Sequence, residues 1–175
     1  MSGSGSVRTD SETAARVRLL VLDVDGVLTD GRLYFGPAGE ALKAFHVRDG
    51  VGIRQLSASG IALAVISGRR SEMTTRRCEE LGIPHLIQGV GEKLLAFREL
   101  CARLGLPSSA CACVGDDVPD IPMMQEAGLA FAVADAHPQA RRAAHVVTDL
   151  PGGRGAVREI CDYLLAARRA IAAAQ

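Results

Sequence analysis

Five aspartates at short intervals carry the chemistry this sequence could do: Asp23 and Asp25 in Asp23-Val24-Asp25-Gly26, and Asp116, Asp117 and Asp120 in Gly115-Asp116-Asp117-Val118-Pro119-Asp120. Both groups directly follow short apolar runs, and so do Ser67, Gly68 and Arg69; Lys93 stands a few residues beyond a further run. In an open parallel sheet, ligands bind beyond the carboxyl ends of the strands, so these are the side chains a ligand would meet. Carboxylates gathered at one rim repel one another strongly unless cations intervene. A divalent cation is the economical counter-charge. The donor set is all oxygen, with no His or Cys at these strand ends, and that favours a hard ion. Mg²⁺ takes one or two carboxylates and keeps waters for a substrate phosphate. A single aspartate in such a place is as readily a helix cap, a reading the whole set fits poorly.

Other chemistries find less support. Neither a G-x-x-x-x-G-K-[ST] loop nor a G-x-G-x-x-G fingerprint occurs, and Gly152-Gly153-Arg154-Gly155 follows a late strand without fingerprint spacing. The four histidines, His46, His85, His137 and His145, form no set with a Ser or Cys nucleophile and read as structural. Five cysteines, Cys78, Cys101, Cys111, Cys113 and Cys161, are odd in number and lack C-x-x-C spacing, which fits buried thiols in a reducing cytoplasm. Cys111 and Cys113 would share one face of a strand, but two further zinc ligands are not apparent nearby.

The elements that must position these residues follow from periodicity. Short apolar runs at Val17–Leu22, Ile61–Ile66, His85–Gln88, Ala110–Val114, Leu129–Val133 and His145–Val147 read as strands covered on both faces. Helical patterns fill the gaps at Gly50–Ser59, Arg70–Leu81, Gly91–Leu104, Pro119–Ala127, Pro138–Ala143 and Gly155–Ala174. The alternation predicts an α/β fold with a Rossmann-like, doubly wound parallel sheet. Gly31–Val47 breaks it: two β-favouring arms flank Gly36-Pro37-Ala38-Gly39, the pattern of a projecting β-hairpin. At 175 residues, 48% of them hydrophobic and 23% charged, the chain is the size and composition of one globular domain. Residues 1–16, rich in Gly, Ser and Thr, read as a disordered leader, and 17–175 as the domain. Twenty basic residues balance twenty acidic ones, which argues against nucleic acid and anionic membrane surfaces as partners. No apolar run reaches the roughly 18 residues of a spanning helix.

The acidic motifs, with Val27-Leu28-Thr29-Asp30 after the first, Ser67-Gly68-Arg69 and Lys93, resemble in order and spacing the four motifs of haloacid dehalogenase-type phosphatases. Three further segments are similar to the 3-deoxy-D-manno-octulosonate 8-phosphate phosphatase group: Lys43-Ala44-Phe45-His46-Val47-Arg48-Asp49-Gly50, Val133-Ala134-Asp135-Ala136-His137-Pro138 and Gly152-Gly153-Arg154-Gly155-Ala156-Val157-Arg158-Glu159. The resemblance runs from about Val17 to Leu165. It implies Asp23 as nucleophile, Asp25 as general acid and base, and Ser67 and Lys93 as holders of the phosphoryl group. It further implies Mg²⁺ on Asp23, the backbone carbonyl of Asp25 and Asp116, with Asp117 and Asp120 orienting Lys93 or metal-bound water. Only 43 residues separate Asp23 from Ser67, too few for a cap domain once the hairpin and a helix are counted. The resembling group covers its capless site by forming a homotetramer, the hairpin of one subunit lying over the site of the next. Ser67, Gly68, Arg69, Lys93 and Arg154 are the expected substrate contacts, with Arg69 and Arg154 suited to a sugar carboxylate; surface salt bridging or a role in a neighbouring subunit competes for Arg154. The implied substrate is the octulosonate 8-phosphate, in cytoplasmic synthesis of lipopolysaccharide sugars. A nonulosonate 9-phosphate and a non-catalytic tetramerisation module are the alternatives.

Overall fold

The computed structural model describes residues 12–174. Six strands form one wholly parallel sheet in the order β5-β4-β1-β6-β7-β8: β1 (Leu19–Leu22), β4 (Ala62–Ser67), β5 (His85–Gln88), β6 (Cys111–Gly115), β7 (Leu129–Ala132) and β8 (Val146–Val147). The chain winds outward from β1 through β4 to β5, then crosses back to β6 and winds the other way. The reversal leaves a crevice between the ends of β1 and β6, where sheets of this kind bind ligands. Leu22 pairs with Val65 on one side and Val114 on the other, so Asp23, Ser67 and the chain after Gly115 emerge at one rim.

β1 forms because all four of its residues are apolar and are fully covered by layers on both sheet faces. The helices supplying that cover are α1 (Val47–Ala58), α2 (Glu72–Leu81), α3 (Lys93–Leu104), α4 (Ile121–Glu126), α5 (Pro138–Ala143) and α6 (Ala156–Ala173). Ile53 and Leu56 of α1, Phe97 and Leu100 of α3, Met123 of α4 and Ile160 of α6 all reach the same core. α1 packs along α6. Asp49, in the first turn of α1 and 2% exposed, accepts the backbone N–H of Arg158 at 2.9 Å and so caps α6 from a neighbouring helix. Burial raises its carboxyl above the ordinary range, against the pull of that bond.

The remaining strands, β2 (Tyr34–Gly36) and β3 (Gly39–Leu42), pair antiparallel around Pro37-Ala38, the hairpin expected from sequence. Helices begin later than periodicity predicts at Glu72 and Lys93, because Ser71 and Glu92 take the extended N-cap conformation; α1 begins earlier, at Val47. The segment expected as one helix from Pro119 splits into a 3₁₀ turn (Val118–Asp120) and α4. Residues 1–11 of the expected leader lie outside the described residues. Residues 12–15 are helical and Ala14 is fully buried, so the ordered chain starts before Val17; a small apolar side chain there completes the core. The cysteines are all buried free thiols, Cys101 and Cys111 with sulfurs 3.6 Å apart, and burial pushes Cys111 up to about 12.

Gly152-Gly153 is a packing device. A Cβ on Gly152 would stand 1.7 Å from the carbonyl oxygen of Gly26, and one on Gly153 would stand 2.3 Å from the backbone of Asp30 and Thr29. The N–H of Gly153 bonds the Val27 carbonyl at 2.9 Å, so the late glycines clamp the loop that follows β1. Gly152→Ala should therefore cost about 1–3 kcal/mol and lower Tm by roughly 2–12 °C. Gly91→Ala, whose Cβ meets nothing within 4 Å, should leave Tm unchanged in the same melts. Equal melting of both variants would refute the clamp.

Candidate active site

A cavity of about 270 Å³ opens at the rim between β1, β4 and β6. Asp23 leaves β1 directly into it. The chain then closes a tight turn, with the N–H groups of Val27, Leu28 and Thr29 all bonding the Val24 carbonyl and the Thr29 hydroxyl accepting from Gly26 and Gly31. This turn carries Asp25 to the same mouth. Gly26 has φ +93°, and a Cβ there would lie 2.0 Å from Asp116 Oδ2; the missing side chain lets the Asp116 carboxylate sit against the β1 loop.

Lys93, the first residue of α3 and 8% exposed, is the cation inside. Its Nζ donates to Asp23 Oδ1 at 2.7 Å and to Asp120 Oδ1 at 2.5 Å. Asp120 spends its other oxygen on the N–H groups of Asp116, at 3.0 Å, and Asp117, at 3.2 Å. Asp117 is exposed and its Oδ1 accepts the Val118 N–H at 2.7 Å, capping the 3₁₀ turn. Holding Lys93 therefore falls to Asp120, while Asp117 shapes the loop. Ser67, 3% exposed, faces the cavity and accepts the Arg69 N–H at 3.3 Å.

Oxygens of Asp23, Asp116 and Asp120 lie within 4.8 Å of one another. Three carboxylates against one ammonium leave two negative charges in excess. Burial, reinforced by Asp120, pushes Asp23 up to about 6 despite Lys93. Burial, then the charges of Asp23 and Asp120, pushes Asp116 up to about 8. Burial works against the Lys93 ammonium, but Asp23 and Asp120 outweigh it and hold it above the ordinary lysine value. An all-oxygen set with this excess fits a hard divalent cation, which would take the place of the protons.

A model of the haloacid dehalogenase-like hydrolases matches residues 86–160. The 3-deoxy-D-manno-octulosonate 8-phosphate phosphatase KdsC of Yersinia pestis is 52% identical over 157 residues, spanning 90% of this chain and 84% of that protein. The chain belongs to the 3-deoxy-D-manno-octulosonate 8-phosphate phosphatase family. A crystal structure of the Yersinia pestis enzyme superposes with a TM-score of 0.90 at 51% identity, covering 92% of this chain and 87% of that one. Another family member, from Moraxella catarrhalis, was solved with a magnesium ion, a phosphate ion and a KDO molecule; it gives a TM-score of 0.89 at 43% identity over 94% of this chain and 97% of that one.

Of the residues singled out from sequence, Asp23, Asp25, Ser67, Gly68, Arg69, Lys93, Asp116, Asp117 and Asp120 line the cavity of this family member, joined by Pro119. Arg154 does not; it is exposed, next to the glycine clamp in sequence. None of the four histidines lines the cavity; His137 Nδ1 accepts the Gln139 N–H and His145 Nδ1 the Ala130 N–H, both within the backbone framework. Sequence reasoning missed Glu40 and Lys43. Lys43, with a side chain only 1% exposed, bonds Asp25 Oδ1 and lies 2.9 Å from Glu40 Oε1; Arg69 stands 3.7 Å from both carboxylates. No local pattern in the sequence encodes the fold-back that brings the hairpin's second arm onto Asp25, since a spacing of three on an extended arm does not place two side chains on one face.

The raised carboxyls make metal binding pH-dependent. Above their ordinary value of 3.8, the folded protein keeps protons on Asp23 and Asp116 that the unfolded chain has released, so their stabilisation is complete below that value and is lost as pH rises through about 6 and about 8. A cation that needs both ionised runs the opposite way. The rise in Tm produced by Mg²⁺ over EDTA should grow from about pH 5 to about pH 8. A pH-independent rise would contradict the assignment.

Proposed function

We propose that this chain is a Mg²⁺-dependent phosphomonoesterase that hydrolyses 3-deoxy-D-manno-octulosonate 8-phosphate to the free sugar acid and phosphate, within lipopolysaccharide sugar synthesis. The observation that carries the reading is the Asp23–Lys93–Asp120 arrangement beside Asp116, in a chain 52% identical to a named phosphatase of that substrate. The residues fit Mg²⁺ held by Asp23, Asp116 and the backbone carbonyl of Asp25. When bound, the ion supplies positive charge that screens an incoming phosphate from the carboxylates and offsets charge developing on the phosphoryl oxygens.

The chain's own groups perform the transfer. Lys93 on Asp23 Oδ1 orients the carboxylate, and an Asp23 oxygen bonds to phosphorus as the bond from phosphorus to the sugar oxygen breaks. Asp25, at the mouth, gives its proton to the departing sugar oxygen. Water then bonds to phosphorus, the bond to Asp23 breaks, and Asp25 takes the water's proton, which returns both aspartates to their starting state. Ser67 and Lys93 donate to the phosphoryl oxygens, positioning an in-line transfer. Arg69, at the mouth and 44% exposed, is placed for a carboxylate on the leaving sugar.

Leu33, Tyr34, Phe35 and Leu42 expose apolar side chains on and beside the hairpin, Phe35 at 65%, which supports a homotetramer in which this element meets a second copy. Five free thiols support a reducing cytoplasm.

Phosphate release from the octulosonate 8-phosphate, a nonulosonate 9-phosphate and hexose phosphates tests the reading. The expected result is selective turnover of the eight-carbon acid, abolished by EDTA and lowered on the order of 10⁴-fold or more by Asp23→Asn. The same preparation should sediment as four chains. Preference for the nine-carbon ester would reassign the substrate, and no Mg²⁺-dependent release would leave a non-catalytic module.

A further inference from the structure

The hairpin's second arm brings one carboxylate to the site that neither transfers phosphate nor faces the metal cluster. Glu40 lies on β3 with a side chain 14% exposed. Its Oε2 accepts the Ser71 hydroxyl at 2.5 Å, and its Oε1 stands 2.9 Å from Lys43 Nζ and 3.7 Å from Arg69 Nη2. Ser71 occupies the N-cap of α2, where a serine ordinarily caps its own helix, yet its side chain makes no capping bond. The hydroxyl is committed to Glu40.

When Asp25 is ionised, as after it has given up its proton, Asp25, Lys43, Glu40 and Arg69 form a closed ring of alternating charge at the cavity mouth. Lys43 is almost wholly covered, so its ammonium depends on both carboxylates for compensation. Without Glu40, Lys43 and Arg69 would face each other across Asp25 alone, and the arm would lose its bond to the β4–α2 loop. We propose that Glu40 is a positioning residue: tethered by Ser71, it fixes Lys43 and Arg69 on either side of Asp25 and so aims the group that handles the leaving sugar's proton. The inference rests on the phosphatase reading of the site.

A double-mutant cycle on the full-length protein with Mg²⁺ and octulosonate 8-phosphate tests it. Glu40→Gln keeps the size of the side chain and an acceptor for Ser71 but removes the charge; it should lower kcat roughly five- to tenfold, with Mg²⁺ affinity unchanged. Ser71→Ala should lower kcat in the same direction by less. If Glu40 acts through Lys43, adding Glu40→Gln to Lys43→Met should change kcat no further, because residues acting as a unit are non-additive. A purely structural role would instead lower Tm, weaken Mg²⁺ binding and add fully to Lys43→Met. Wild-type kcat in Glu40→Gln, or full additivity in the cycle, would overturn the inference while the wild type still turns over. No turnover by the wild type would overturn the phosphatase reading itself.

Discussion

Three carboxylates held around one buried ammonium are the constraint on which the rest of the molecule depends. Asp23, Asp116 and Asp120 come from the ends of two adjacent strands and the turn after them, and Lys93 comes from the start of a helix on another part of the chain. Only the parallel register of β4, β1 and β6 brings these ends level. Lys93 satisfies Asp23 and Asp120, and Asp120 in turn holds the backbone that carries Asp116. The two charges left over must be met by protons or by a metal. That choice explains why burial drives Asp23 and Asp116 towards the protonated form.

Around that centre, the structure fixes loops by close backbone approach rather than by bulk. Gly26 admits Asp116, and Gly152 and Gly153 press against the turn after β1, so the nucleophile's loop is held from two sides. Asp49 caps α6 from α1 and so ties the helix that follows the glycine clamp to α1. The mouth is set separately by the Glu40–Lys43 arm. The metal cluster and the ring around Asp25 are thus two charge assemblies sharing one cavity, one holding excess negative charge and the other balanced.

How much could be read from sequence follows from how local each feature is. The strands were legible because a parallel sheet covered on both faces demands unbroken apolar runs such as Leu19–Leu22, and the site was legible because its aspartates directly end those runs. Helix starts at Ser71 and Glu92 depend on backbone conformation at a single residue, which periodicity does not encode. Ala14 was assigned to the leader because one alanine in a polar stretch gives no signal of burial. Arg154 reads as a ligand beside a glycine cluster, but those glycines serve backbone packing, and the exposed arginine is not among the residues lining the cavity. Glu40 and Lys43 needed the three-dimensional return of the hairpin across 18 residues to Asp25.

Calorimetric titration of Mg²⁺ into the metal-free full-length chain bears most directly on the excess charge at the centre. The structure predicts one ion per chain in the wild type and no measurable binding in Asp116→Asn, whose fold is confirmed by an unchanged far-ultraviolet spectrum. Binding that survives Asp116→Asn undiminished, or no binding by the wild type near pH 8, would contradict the account.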